Sequence, residues 1–128
     1  MSIETAEVSV KKATIWLMRQ KETALYSGVM LMGDNKVVDD CDTACTDGVN
    51  KYYGRKFIEG LSKYQVRGLV MHETEHCALN HPVRFKNQMK KNPELTNIAC
   101  DYVVNDIINH LDIYESDNQT KSVSLPEG

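Results

Sequence analysis

Three of the chain's four histidines, His72, His76 and His81, fall in one short run, LVMHETEHCALNHPVRF, residues 69–85. The first two frame the pattern H-E-x-x-H. At ~100° per residue, helical positions four apart lie only ~40° apart around the axis and one turn up. Both imidazoles then leave the same face and can hold one zinc ion. Glu73, one residue after His72, is placed to act as general base toward a water on that metal. Zinc brings the pKa of such a water to about 7, so hydroxide is available at neutral pH. The bland alternative is a solvated helix face with two incidental histidines. The apolar neighbours Val70, Met71, Cys77, Ala78 and Leu79 argue against it. Glu75 reads as a polar position with no assigned role.

A catalytic zinc usually has three protein ligands and one open position. His81 lies nine residues after His72. On an unbroken helix that is ~180° away, on the wrong face. It can join the site only if the helix breaks before it, and Asn80 and Pro82 supply a break. The competitor is Asp101, which shares a stripe with Ile98, Asn105 and Ile108 further along the chain. A carboxylate and an amide in an apolar stripe are costly unless they find partners. The favoured set is His72, His76 and His81, with Asp101 behind them as an acceptor for a ligating histidine and Asn105 orienting Asp101. Asp101 as the third ligand is the alternative. His110, near a helix C-terminus, reads as a favourable terminal charge.

The elements that must position these residues have clear boundaries in places. Residues 4–23 read as a first helix with Val10, Ala13 and Leu17 inward and Trp16 beside them. Tyr26 to Met32, apolar and ended by Gly33-Asp34-Asn35, reads as a strand. Lys36–Asp39 and Cys41–Thr46 are shorter strand candidates, and Lys51–Phe57 is a further short strand or an irregular approach. Ser62 and Gln65 form a capping box that starts the histidine-bearing helix, which runs from about Lys63 to Asn80. Asn92, Pro93 and Glu94 start a third helix that runs to about Leu111. The tail, residues 115–128, is polar and reads as a flexible extension of a single domain spanning 1–114.

Composition bounds the rest. The 128 residues are 41% hydrophobic and 26% charged, which suits one globular domain with its own core. A net charge of −3 gives no basic face for nucleic acid. No apolar run approaches the ~20 residues of a membrane span. The N-terminal MSIETAEVSVKKATIW lacks the uninterrupted apolar core of a secretory signal, so the cytosol is the expected compartment. Cys41, Cys45, Cys77 and Cys100 are then expected as free thiols. Cys41 and Cys45 form C-x-x-x-C, but no second pair follows to complete a cysteine zinc site.

The run GRKFIEGLSKYQVRGLVMHETEHCALNHPVRF, followed by NPELTNIACDYVVNDII, resembles a family of metallopeptidase domains of bacteria and bacteriophages. The family pattern is H-E-x-x-H-x-x-x-x-H and then N-x-A-C-D-x-x-x-N. Here those positions are His72, Glu73, His76 and His81, then Asn97, Ala99, Cys100, Asp101 and Asn105. LMGDNKVVDDCDTACTDGVNKYYGRKF also fits the region ahead of the motif, so the likeness covers most of residues 24–111. It implies an α+β, zincin-like fold: a small twisted sheet packed on the active-site helix, two further helices, and an edge strand that pairs with substrate peptides. Such domains often precede a von Willebrand A-like domain. The resemblance therefore implies a downstream partner domain missing from this chain, whether by trimming or in a short phage version. A phage-encoded copy would act in the host cytoplasm.

The expected function is a zinc-dependent metallopeptidase acting on peptides or proteins, with Glu73 as base. The alternative is a catalytically inactive, metal-stabilised interaction module. Hydrolysis of a non-peptide bond is a third possibility, because water activation does not name a substrate. Histidine and carboxylate ligands also accept other divalent ions.

Overall fold

The computed structural model describes residues 4–126. Helix α1 spans Ala6–Arg19 and starts where Thr5 Oγ1 accepts the Val8 N–H at 3.2 Å. Its inward residues are Val10, Ala13 and Leu17, as their spacing predicts. Full burial of such an aliphatic side chain contributes about 1.5–3 kcal/mol. Past Gln20 the chain turns back through Thr23, whose hydroxyl is buried and donates to the Leu17 carbonyl at 2.5 Å.

The expected strand at Tyr26–Met32 is not a strand. A single 3-10 turn, Ala24–Tyr26, leads into a short helix α2, Ser27–Leu31. The reason lies in which side chains face inward. Thr23 and Met30 are buried and Tyr26 packs against the core, which are steps of three and four. That is a helical period, and Leu25 and Leu31 are left in solvent. Lys51, almost fully buried, sends Nζ to the Val29 carbonyl at 3.0 Å. It thereby caps the C-terminal end of α2.

Three strands follow: β1, Asn35–Val38; β2, Ala44–Thr46; and β3, Lys51–Gly54. Their order is β1-β3-β2, with β1 parallel and β2 antiparallel to β3. β2 is therefore an edge strand. Gly54 closes β3 so tightly beneath the Cys41 carbonyl that a Cβ would lie 2.2 Å from that oxygen. The segment Lys51–Phe57 is thus part strand and part helix, since α3 begins at Arg55 and ends at Glu59.

Helix α4, Lys63–Ala78, carries the capping box read from the sequence. Gln65 N–H donates to Ser62 Oγ at 3.3 Å, and Ser62 N–H donates to Gln65 Oε1 at 3.0 Å. α4 is the central element and lies against α1, β2 and α7. Leu79 caps it, and Asn80 turns left-handed at φ 56°. Two short helices follow, α5 (His81–Arg84) and α6 (Lys86–Lys91). Helix α7, Pro93–Asn109, begins at Asn92, whose Oδ1 accepts the Leu95 N–H at 3.2 Å. It buries Cys100, Val104 and Ile108, while Leu95, Ile98 and Tyr102 stay exposed. The class is α+β, with seven α-helices among the described residues rather than three, and a three-stranded mixed sheet.

The residues from 115 onward, expected as a flexible tail, are packed as far as they are described. Asp117 Oδ1 accepts the N–H groups of Gln119 and Thr120, both at 2.8 Å, and reverses the chain. Tyr114 then pairs with Lys121, and Ser122 and Val123 are buried. The returning strap crosses α4. Ser124 N–H donates to the Tyr64 carbonyl at 3.1 Å, and Arg67 Nη1 donates to the Ser122 carbonyl at 3.0 Å. A Cβ at Gly68 would lie 1.8 Å from the Ser124 oxygen, so only glycine permits this approach. No helix among the described residues is long and apolar enough to cross a membrane.

Candidate metal centre

Helix α4 presents His72 and His76 one turn apart. Their Nε2 atoms lie 3.0 Å from each other. Helix α7 brings Asp101 to the same point: its Oδ1 is 2.9 Å from His76 Nε2 and 3.2 Å from His72 Nε2. With ligand bonds of 2.0–2.2 Å, neighbouring vertices of a tetrahedron are ~3.3 Å apart. The observed triangle is slightly tighter than that and fits a small divalent ion with little movement. Neutral histidines would aim two lone pairs and a carboxylate oxygen at one spot, an arrangement that a cation satisfies. The donor set of two imidazoles and one carboxylate suits zinc, and also other first-row divalent ions.

The backs of the rings are held too. His72 Nδ1 is 2.8 Å from Asn105 Oδ1. The amide oxygen accepts the Nδ1 proton, which leaves the Nε2 lone pair facing the site. Asn105 thus orients His72, not Asp101 as the sequence reading had it. His76 Nδ1 is 2.9 Å from His81 Nδ1. His81 is buried, and its pKa is lowered by burial and then by the nearby His76 and Arg84. A neutral His81 can accept the His76 proton. The group that converges is therefore His72, His76 and Asp101, and His81 stands outside it on the far side of His76. The helix does break ahead of His81 as expected. The left-handed turn at Asn80 returns the ring to Nδ1 of His76 rather than to Nε2.

Charge follows from this packing. His72 is pulled above the ordinary imidazole range: burial opposes its protonation, but the Asp101 and Glu73 carboxylates outweigh it. For Asp101, burial is overcome by the hydrogen bonds from both histidines, which hold it well below the usual carboxylate range. Glu73 is only 4% exposed, and burial raises its pKa, partly offset by His72 and His76. A raised pKa makes it a better proton acceptor once it is ionised.

These groups line an open cavity of about 460 Å³. β2, with Thr43 just before it, forms one side of it. Thr46 fixes that strand to α4: its hydroxyl donates to the Asn50 carbonyl at 2.7 Å, and Cys77 Sγ lies 3.2 Å from the same oxygen. Because the hydroxyl proton goes to Asn50, the Cys77 thiol is the donor to Thr46.

The sequence reading assigns Glu75 no role and does not single out Lys51, and both are buried. Glu75 is 1% exposed, with Oε1 unpartnered and Tyr26 beside it. Burial raises the pKa of its carboxyl, partly offset by the Tyr26 hydroxyl and by His76. Lys51 is the other, and its signal was local: a lone lysine opening the strand KYYG.

A pair of histidines one helical turn apart, a carboxylate from a second helix and a buried glutamate define a candidate metal site in an α+β domain. The chain belongs to the family described as "putative metallopeptidase domain", whose model matches residues 6–122. No curated protein and no solved structure matches the chain.

Proposed function

We propose that this chain is a zinc-dependent peptidase in which His72, His76 and Asp101 hold the ion and Glu73 is the general base. The observation that supports this most is the convergence of His72 Nε2, His76 Nε2 and Asp101 Oδ1 within 3.2 Å of one another, beside a buried Glu73. A zinc ion bound there would acidify a water and polarise a carbonyl oxygen. Glu73 accepts the proton of the attacking water and returns it to the leaving amine. Asn105 and His81 keep the two imidazoles in the tautomer that faces the ion. The outer edge of β2 offers backbone groups to an extended peptide, which would lie across the cavity as an added strand.

The test is Glu73→Gln. The variant should keep its zinc and its melting temperature and lose cleavage of unstructured protein substrates by ~10²–10⁴-fold. Cleavage by wild type that Glu73→Gln matches would remove Glu73 from the chemistry. No cleavage by either would leave a metal-stabilised interaction module.

A further inference from the structure

The cavity changes character at the Leu69 end. Leu69 precedes His72 by three residues, ~4.5 Å along the helix axis. It lines the cavity together with Phe57, Leu125 and Pro126. Phe57 and Leu125 are backed by the core cluster to which Leu69 belongs. The strap fixes where Leu125 stands, because Ser124 is bonded to the Tyr64 carbonyl and pressed against Gly68. The acidic side chains lining the cavity are Glu73 and Asp101, and no lysine or arginine lines it among the described residues.

We propose that Phe57, Leu69, Leu125 and Pro126 form a subsite for an apolar side chain next to the bond being cleaved, an inference that rests on the peptidase reading above. Successive residues of an extended peptide advance ~3.3 Å. A peptide running along α4 from His72 toward Leu69 would set the residue flanking the bond over this patch. A leucine or phenylalanine side chain there covers apolar surface. A carboxylate would lose its water without gaining a partner and would face Glu73 and Asp101. Even one methylene changes selectivity by roughly 10–200-fold in an apolar pocket. Discrimination between leucine and glutamate is therefore at least ~10-fold.

Two readouts on the zinc-loaded chain separate this inference from the reading beneath it. Peptides that differ only at the flanking residue report cleavage. Peptide hydroxamates bearing a leucine or a glutamate side chain report binding without chemistry. The proteins are wild type, Leu125→Asp, Leu125→Met and Leu125→Ala, each checked for zinc content and melting temperature. The leucine hydroxamate should bind wild type at least ~10-fold more tightly than the glutamate one. Leu125→Asp should abolish that ratio and Leu125→Met should keep it. Leu125→Ala, which removes apolar area without adding charge, carries the test if Leu125→Asp does not fold. Equal affinities in wild type, equal loss for both probes in the variants, or no binding of either probe overturns the subsite. Selective binding with no peptide cleaved overturns the peptidase reading and leaves the patch as an apolar side-chain site beside the metal. Cleavage without selectivity upholds the peptidase reading and overturns the subsite.

Discussion

The two walls of the cavity are held by different forces. The metal wall is polar: α4 meets α7 through His72 on Asn105 and through Asp101 between the two imidazoles, and it meets α5 through His76 on His81. The apolar wall, which meets the metal wall along α4 at Leu69, is held largely through backbone. The strap over α4 depends on the Ser124–Tyr64 bond and on the missing side chain at Gly68. One wall is specified by what its side chains can do, the other by how closely main chains can approach. Changes in the first should therefore move chemistry while leaving the fold, and changes in the second should move stability and selectivity while leaving the metal.

The largest expected effect is on the metal wall. His72→Ala removes a ligand and should abolish stoichiometric zinc binding, with the fold kept by circular dichroism. Asn105→Ala leaves the ligands in place but frees the His72 ring. It should weaken zinc by about 10–100-fold in a competition titration. On the apolar wall, Gly68→Ala drives a methyl group into the Ser124 carbonyl. Strain of this kind costs about 1–3 kcal/mol, despite the better helix propensity of alanine. Denaturant unfolding should show that loss, and limited proteolysis should cut the strap sooner. Zinc bound per folded molecule should not change. If Gly68→Ala lost zinc and kept stability, the division between the walls would be wrong.

The smallest effect is on pH dependence and concerns the metal wall alone. The folded-state pKa of His72 is raised, so its contribution is complete below the ordinary value of 6.5 and is lost as pH rises through the folded value. Asp101 is depressed, so its contribution is present above the ordinary 3.8 and is lost only as pH falls through its lowered value. The metal-free chain should therefore melt a few degrees lower at about pH 8.5 than at about pH 6. Asp101→Asn should flatten that slope. Zinc should reverse it, because ligating imidazoles must be deprotonated. His81, whose pKa is lowered, contributes with the opposite sign, so the His72–Asp101 pairing is read from the difference between wild type and Asp101→Asn, and identical slopes for the two would contradict it.

Much of the metal wall was legible in the sequence. The Ser62–Gln65 box, the Asn92 cap and the break at Asn80 are local signals, and each stands where its residues place it. The placement of His81 behind His76 and of Asp101 beside both Nε2 atoms was not legible. It depends on where α7 lies relative to α4 and on the direction of one left-handed turn, and no spacing rule carries either. The segment around Met30 misled because a short apolar run reads equally well with either period. The strap was missed for the reason that makes it work. Its polar residues, Glu115 to Thr120, form a turn, and its grip on α4 is main chain on main chain, which leaves little trace in composition.

Asp101 rather than His81 is the proposed third ligand. The direct measurement is zinc per chain by elemental analysis for wild type, Asp101→Ala and His81→Ala, purified in parallel without chelator. The account predicts about one zinc in wild type, none retained in Asp101→Ala, and a weakened but stoichiometric ion in His81→Ala. Zinc lost from His81→Ala and kept by Asp101→Ala would contradict it and return the site to three histidines.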